Sequence, residues 1–191
     1  MAILKVARMG HPILRQKARP VSSEEFGSDD LMGLIEDMME TMEEYGGIGL
    51  AAPQVHESLQ LAIIGFDGDN NRYPDMGDQE LLVLCNPVIT VLDEEKQGYW
   101  EGCLSVPGLR GKVYRPRKIR VDFQDPEGKS KHIEPEGFLA TVFQHELDHL
   151  AGVLYIDRVE QGPGKTELVF QEEYDRYHVP DEDDEVGEMT D

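Results

Sequence analysis

The feature that most constrains this chain is the run Gln144-His145-Glu146-Leu147-Asp148-His149. Residues Pro135 to Leu150 read as a helix, with Pro135 and Glu136 suited to its first turn and Ala151-Gly152 to its end. A spacing of four puts His145 and His149 on one helical face about one turn apart, so both imidazoles can reach one metal ion. Glu146 falls about 100° round the helix, beside the ligands, where it can take a proton from activated water. Phe138, Leu139, Val142 and Phe143 make the other face apolar. That combination favours a metal-binding helix over a surface helix carrying two unrelated histidines.

Two histidines make an incomplete site, because a catalytic tetrahedral centre takes three protein ligands and a water. Two sources of the third are open. Glu167, Glu172 and Glu173 lie downstream, on a stretch from Gly164 to Tyr177 that reads as a further helix. Cys103 lies upstream in Glu101-Gly102-Cys103-Leu104-Ser105, where a thiolate is a softer, stronger ligand and Gly102 lets backbone come close. Spacing does not choose between them. The other cysteine, Cys85, ends the apolar run from Leu81 and reads as a small buried hydrophobe. A chain of this size with no secretion signal has little need of a disulfide.

Other elements are readable around this helix. Ser28-Asp29-Asp30 offers caps to a first helix whose apolar residues Leu31, Leu34, Ile35, Met38, Met39, Met42 and Tyr45 recur at spacings of three and four. Gly46-Gly47 ends it. Leu61 to Phe66, Leu81 to Leu92 and Ile119 to Phe123 read as strands. Asn86-Pro87 makes the second either two strands or one edge strand with a bulge. The polar residues 67–71 and the sequence Asp125-Pro126-Glu127-Gly128 read as turns. Strands clustered between helices predict an α+β class. In it, antiparallel or mixed sheets pack around the central metal-binding helix, flanked by an N-terminal and a C-terminal helix. Residues 1–179 read as one domain.

Charge bears on partners. Lys plus Arg is 18 and Asp plus Glu is 39, a net charge of −21. Such a field repels phosphate backbones and anionic lipid, so neither direct nucleic-acid binding nor membrane binding is expected. Residues 180–191 carry seven carboxylates and no base, and read as a solvated, disordered tail. No apolar run approaches the ~18 residues of a membrane span, and the first twenty residues lack a signal-peptide pattern. The expected location is the cytoplasm.

A third segment, Gly47-Ile48-Gly49-Leu50-Ala51-Ala52-Pro53-Gln54, suggests backbone packed closely against something, with Gln54 its one polar side chain. Together the glycine-rich box, the EGCLS box and the QHELDHLAG box, in that order across residues 47 to 152, resemble the peptide deformylase family at every fixed position. The opening GHPILRQKA at residues 10–18 is similar too. The resemblance implies that Cys103, His145 and His149 hold one divalent ion, Fe(2+) being expected and Ni(2+), Co(2+) or Zn(2+) able to replace it. It implies attack by water or hydroxide on the formyl carbon of an N-formylmethionyl nascent peptide, with release of formate. Glu146 would be general base and acid, and the Gln54 amide and Leu104 backbone N–H the oxyanion hole. The peptide would lie extended along Gly47, Ile48 and Gly49, with Phe138 and Val142 lining the methionine pocket and Arg110 touching peptide backbone. Glu101, Asp148 and Arg115 would support the ligands. Some family members dock on the ribosome through a basic C-terminal helix, but the last helix here holds more acids than bases, which argues against that contact. Two further readings stand beside this one. They are an HExxH peptidase with a downstream Glu ligand, and a non-catalytic metal-stabilised module that would need neither Glu146 nor Gln54.

Overall fold

The computed structural model describes residues 2–66, 79–160 and 167–178. The predicted turn at 67–71 and the acidic tail at 180–191 lie outside the described residues. The elements run α1 (Asp29–Glu44), β1 (Gly49–Ala51), β2 (Leu61–Phe66), β3 (Gln79–Cys103), β4 (Val106–Gln124), β5 (Ser130–Ile133), α2 (Gly137–Leu150), β6 (Leu168–Phe170) and α3 (Gln171–Tyr177). Short 3-10 turns stand at Pro12–Arg15, Ala52–Val55 and Tyr155–Asp157. The sheet runs in the order β1-β2-β3-β4-β5, with β6 also on β4, and its ladders are antiparallel. The class is α+β, as expected.

Local chemistry accounts for much of this. Ser28 caps α1, its hydroxyl accepting from the Leu31 N–H at 3.2 Å, a contact of the kind that stabilises a helix by ~1 kcal/mol. Leu31, Ile35, Met38 and Met42 bury the inner face of α1 with Leu50, Leu61 and Ile63. Gly46, at φ +61°, lets the chain leave the helix and enter the glycine-rich box. Helix α2 is buried at ten of its fourteen positions. Its apolar residues Val142, Phe143, Leu147 and Leu150 pack on Ile64, Leu84, Ile119 and Val121 of the sheet. This puts the histidine helix at the centre of the molecule.

Several boundaries differ from expectation; the strand read at Ile119 to Phe123 begins as early as Val106, where it pairs back on β3. Helix α2 begins at Gly137, because Pro135 and Glu136 are claimed by β4. The Pro135 carbonyl accepts from the Ile119 N–H, and Glu136 bridges Lys118. Strand β3 continues past Leu92 to Cys103, pairing with β4 through the exposed polar stretch 93–97, where no apolar alternation signals a strand. The register shifts between Cys85 and Val88, so Asn86-Pro87 is a bulge. It does not sit at an edge, since β2 and β4 flank β3. Asn86, at φ +51°, bonds Val21 through both its side-chain atoms and also donates to Gln124. Lastly, Leu168–Phe170 is a strand on Leu109, Arg110 and Gly111, and only Gln171–Tyr177 is helical.

Candidate functional site

Two elements bring the candidate ligands together. Helix α2 brings His145 and His149, with ring centroids 5.1 Å apart and nearly perpendicular. The end of β3 brings Cys103, where Cys103 pairs with Val106 across a two-residue turn of Leu104 and Ser105. Cys103 Sγ lies 3.3 Å from His149 Nε2, and one ligand atom from each of Cys103, His145 and His149 falls within 4.8 Å of the others. Two imidazoles and a thiolate converging in a buried pocket fit a divalent transition metal with one position left open. The downstream acids do not join them. Glu173 faces solvent beside Arg176, and Glu167 bonds Tyr114.

A buried charge chain orients the first ligand. Glu101 accepts from His145 Nδ1 at 2.7 Å, leaving Nε2 as the metal-facing atom. Arg115 holds Glu101 through two bonds of 2.6 and 2.9 Å and reaches Asp148 at 2.8 Å, and Asp148 in turn pairs with Arg158. Burial would push Glu101 upward, but its bonds to Arg115 and His145 outweigh that and hold it at about 2. Burial likewise opposes charge on His145, yet Cys103 and Glu101 raise it well above the usual imidazole range. His149, buried beside His145 and Arg115, is held well below that range and so stays neutral.

Glu146 lies against the glycine-rich box and lines the same cleft as Cys103 and His145. A Cβ at Gly49 would stand 2.5 Å from Glu146 Oε1, so only glycine leaves room for this carboxyl. Burial, the largest effect, pushes its pKa up to about 7, a value suited to proton transfer near neutrality. Its Oε2 has no hydrogen-bond partner among the described residues. Gln54 is fixed from behind, its Oε1 accepting from the Ala51 N–H at 2.8 Å. Its Nε2 therefore faces Cys103 Sγ at 3.5 Å and Ser105 Oγ at 3.3 Å.

A cleft of about 260 Å³ opens over these groups. Every residue singled out as catalytic or substrate-binding from the sequence lines it: Gly47, Ile48, Gly49, Gln54, Leu104, Arg110, Phe138, Val142 and Glu146. Sequence reasoning missed several others. Arg8, Tyr45, Trp100 and Gln171 also line the cleft, and none of them belongs to a motif. Tyr155 was missed as well. It stacks on His145 at 5.8 Å and donates to the Leu109 carbonyl at 3.1 Å, tying the ligand ring to β4. A lone tyrosine a few positions past the histidine helix carries no signal for that contact.

An antiparallel sheet folded round an HExxH helix, with a thiolate supplied from a strand end, defines a Cys-His-His metal site of hydrolytic type. The sequence model of the polypeptide deformylase family matches residues 3–163. A peptide deformylase of Leptospira biflexa is 48% identical over 161 residues, covering 84% of this chain and 89% of that protein. Peptide deformylase 1 of Bordetella pertussis is 49% identical over 169 residues, covering 87% and 94%. Among solved structures, the Met-Ala-Ser-bound class I type b peptide deformylase of Acinetobacter baumannii superposes with a TM-score of 0.79 at 39% identity, covering 83% of this chain and 99% of that one. The Thermotoga maritima peptide deformylase gives 0.74 at 38% identity, covering 84% and 100%. The chain belongs to the polypeptide deformylase family, and is an enzyme of that hydrolase class.

Proposed function

We propose that this chain removes the formyl group from the initiator methionine of nascent polypeptides, in the cytoplasm, through one divalent ion held by Cys103, His145 and His149. The convergence of those three ligands, with Glu146 set off them against Gly49, is the observation that carries the reading. Fe(2+) is the expected ion. Ni(2+), Co(2+) and Zn(2+) suit the same thiolate and imidazole donors. When bound, the ion acts as a Lewis acid on water and on the formyl carbonyl.

The chain's own residues supply the rest. Glu146 accepts the proton of the attacking water and passes it to the leaving amine, which requires a carboxylate beside the metal rather than on it. The Gln54 amide and the Leu104 N–H donate to the formyl oxygen as charge develops there. Gly47, Ile48 and Gly49 offer backbone to an extended peptide, in the manner of an added strand. Phe138 and Val142 wall the methionine pocket, and Arg110 reaches the peptide backbone. Arg110 is buried and steadied by Gln171 at 2.6 Å and by the Tyr174 ring at 5.6 Å. The peptidase alternative loses support with its downstream glutamates away from the histidines. A merely structural site would have no use for Glu146 or Gln54.

The test is formate release from a formyl-Met peptide by the full chain purified without oxygen. Stoichiometric formate and a free methionine amine are expected. A metal-loaded, folded chain that released no formate from any formyl peptide would overturn the proposal.

A further inference from the structure

In a chain of net charge −21, an arginine without a carboxylate is unusual. Arg15, Arg19, Arg115, Arg117, Arg120, Arg158 and Arg176 each lie within ion-pair distance of an aspartate or glutamate. Among the described residues, Arg8 and Arg110 do not, and both line the cleft. Arg110 is steadied inside it by Gln171 and Tyr174, as above. Arg8 is exposed and stands at a junction. It lines the cleft and also a second, larger cavity of about 640 Å³, and Tyr45 and Leu104 are shared between the two.

The two charged residues that line the second cavity, Lys5 and Arg8, are both basic; His11 and His56 lie beside them, and no aspartate or glutamate lines it. Lys5, like Arg8, has no carboxylate partner among the described residues. His56 sits at φ +72°, in the left-handed region that costs a non-glycine residue energy. Its Nε2 is buried without a hydrogen-bond partner, and its ring meets His11 edge-on at 4.7 Å. The strap that carries Arg8 is anchored on both sides to the two boxes that build the site. The Ala7 N–H donates to the Gln54 carbonyl and the Met9 N–H to the Ser105 carbonyl, each at 2.7 Å. Arg8 is thus placed relative to the reacting centre by the same residues that place Gln54 and Leu104.

We infer that this second cavity is an extended subsite for acidic side chains of the nascent peptide, downstream of the formyl-methionine, with Arg8 as its selecting cation. The inference rests on the proposed deformylase reading. Continuity with the cleft is what points to a peptide segment, since whatever fills the cavity at Arg8 adjoins whatever lies along Gly47 to Gly49. A nucleic-acid phosphate would meet the repulsion of the whole chain with few basic groups to offset it. The same long-range field makes acidic peptides poorer substrates by default. A preference for them can therefore come only from local pairing.

The experiment compares kcat/KM of the full, metal-loaded chain for formyl-Met-Ala-Xaa-Xaa-Ala amides with Xaa as Asp, Ser or Lys. Moderate salt, about 0.15 M, shortens the reach of the general field to ~8 Å. C-terminal amides remove the terminal carboxylate as a second source of negative charge. The Asp peptide should exceed the Ser peptide two- to fivefold, the range exposed ion pairs supply, mainly through KM, with Lys lowest. In Arg8→Gln the Asp-to-Ser ratio should fall to about one or below, and Arg8→Lys should restore part of it. Lys5→Gln, further from the junction, should lower the ratio less, and serves if Arg8→Gln does not fold. A wild-type ratio of one or less, or a ratio unmoved by both glutamine variants, would overturn the inference. So would competition by a short RNA oligonucleotide that Arg8→Gln abolishes. Turnover of formyl-Met-Ala amide, too short to reach the cavity, separates this failure from failure of the deformylase reading itself.

Discussion

Helices α2 and α3 both contribute to the cleft, and they are built on opposite principles. In α2 ten of fourteen residues are buried, including both histidines and Glu146, and its apolar side locks into the sheet. In α3 none is buried, and its first residue, Gln171, reaches the cleft only by gripping Arg110. On the proposed function, groups that hold the metal and move a proton sit where displacement would break the core. The strap around Arg8, for which we infer a part in choosing acidic peptides, sits on the periphery.

The largest effect that would break this contrast is on metal binding. Cys103→Ala should strip the ion and abolish formate release, measured as metal per chain and as turnover. Glu172→Ala and Glu173→Ala on α3 should leave both unchanged. Full metal content in Cys103→Ala would move the third ligand elsewhere. Next, Gln54→Ala should lower kcat by roughly 10²–10³ with a smaller change in KM, the signature of a bond that strengthens as charge develops. A change confined to KM would make Gln54 a binding residue.

The difference between the two regions also marks what the sequence could reveal. The core site was legible because its chemistry demands fixed spacings. Two histidines four apart, a glutamate between them, a glycine-flanked cysteine and a glycine-rich box each leave a pattern in one dimension. The α1 cap at Ser28 and the bounds of β2 were legible for the same local reason. The periphery was not. Leu168 to Phe170 fit a helical period, yet they pair with β4 through backbone groups that any side chain permits. The β3 stretch 93–97 is polar and largely exposed, so its strand character comes from its partner rather than its own pattern. Arg8 is one arginine near the N-terminus, and only the fold shows that no acid among the described residues meets it.

Smaller effects sharpen the comparison. Glu101→Gln removes the charge that orients His145 while keeping its shape, and should weaken metal affinity about 10–100-fold, read by competition with a chelator. Affinity unchanged in that variant would make the Glu101–Arg115 pair purely structural. At the far end, we propose that residues 180–191 lie outside the catalytic domain. Their removal should leave kcat for a short neutral formyl-Met peptide unchanged and the melting temperature within a few degrees. A large loss in either would mean that this segment packs on the body.

The central claim is that Glu146 performs proton transfer beside a metal it does not hold. Glu146→Gln, assayed for metal per chain and for formate release on one preparation, tests it most directly. The account predicts one ion per chain, an unchanged fold and turnover lower by roughly 10² or more. Near-normal turnover with the ion in place would contradict it.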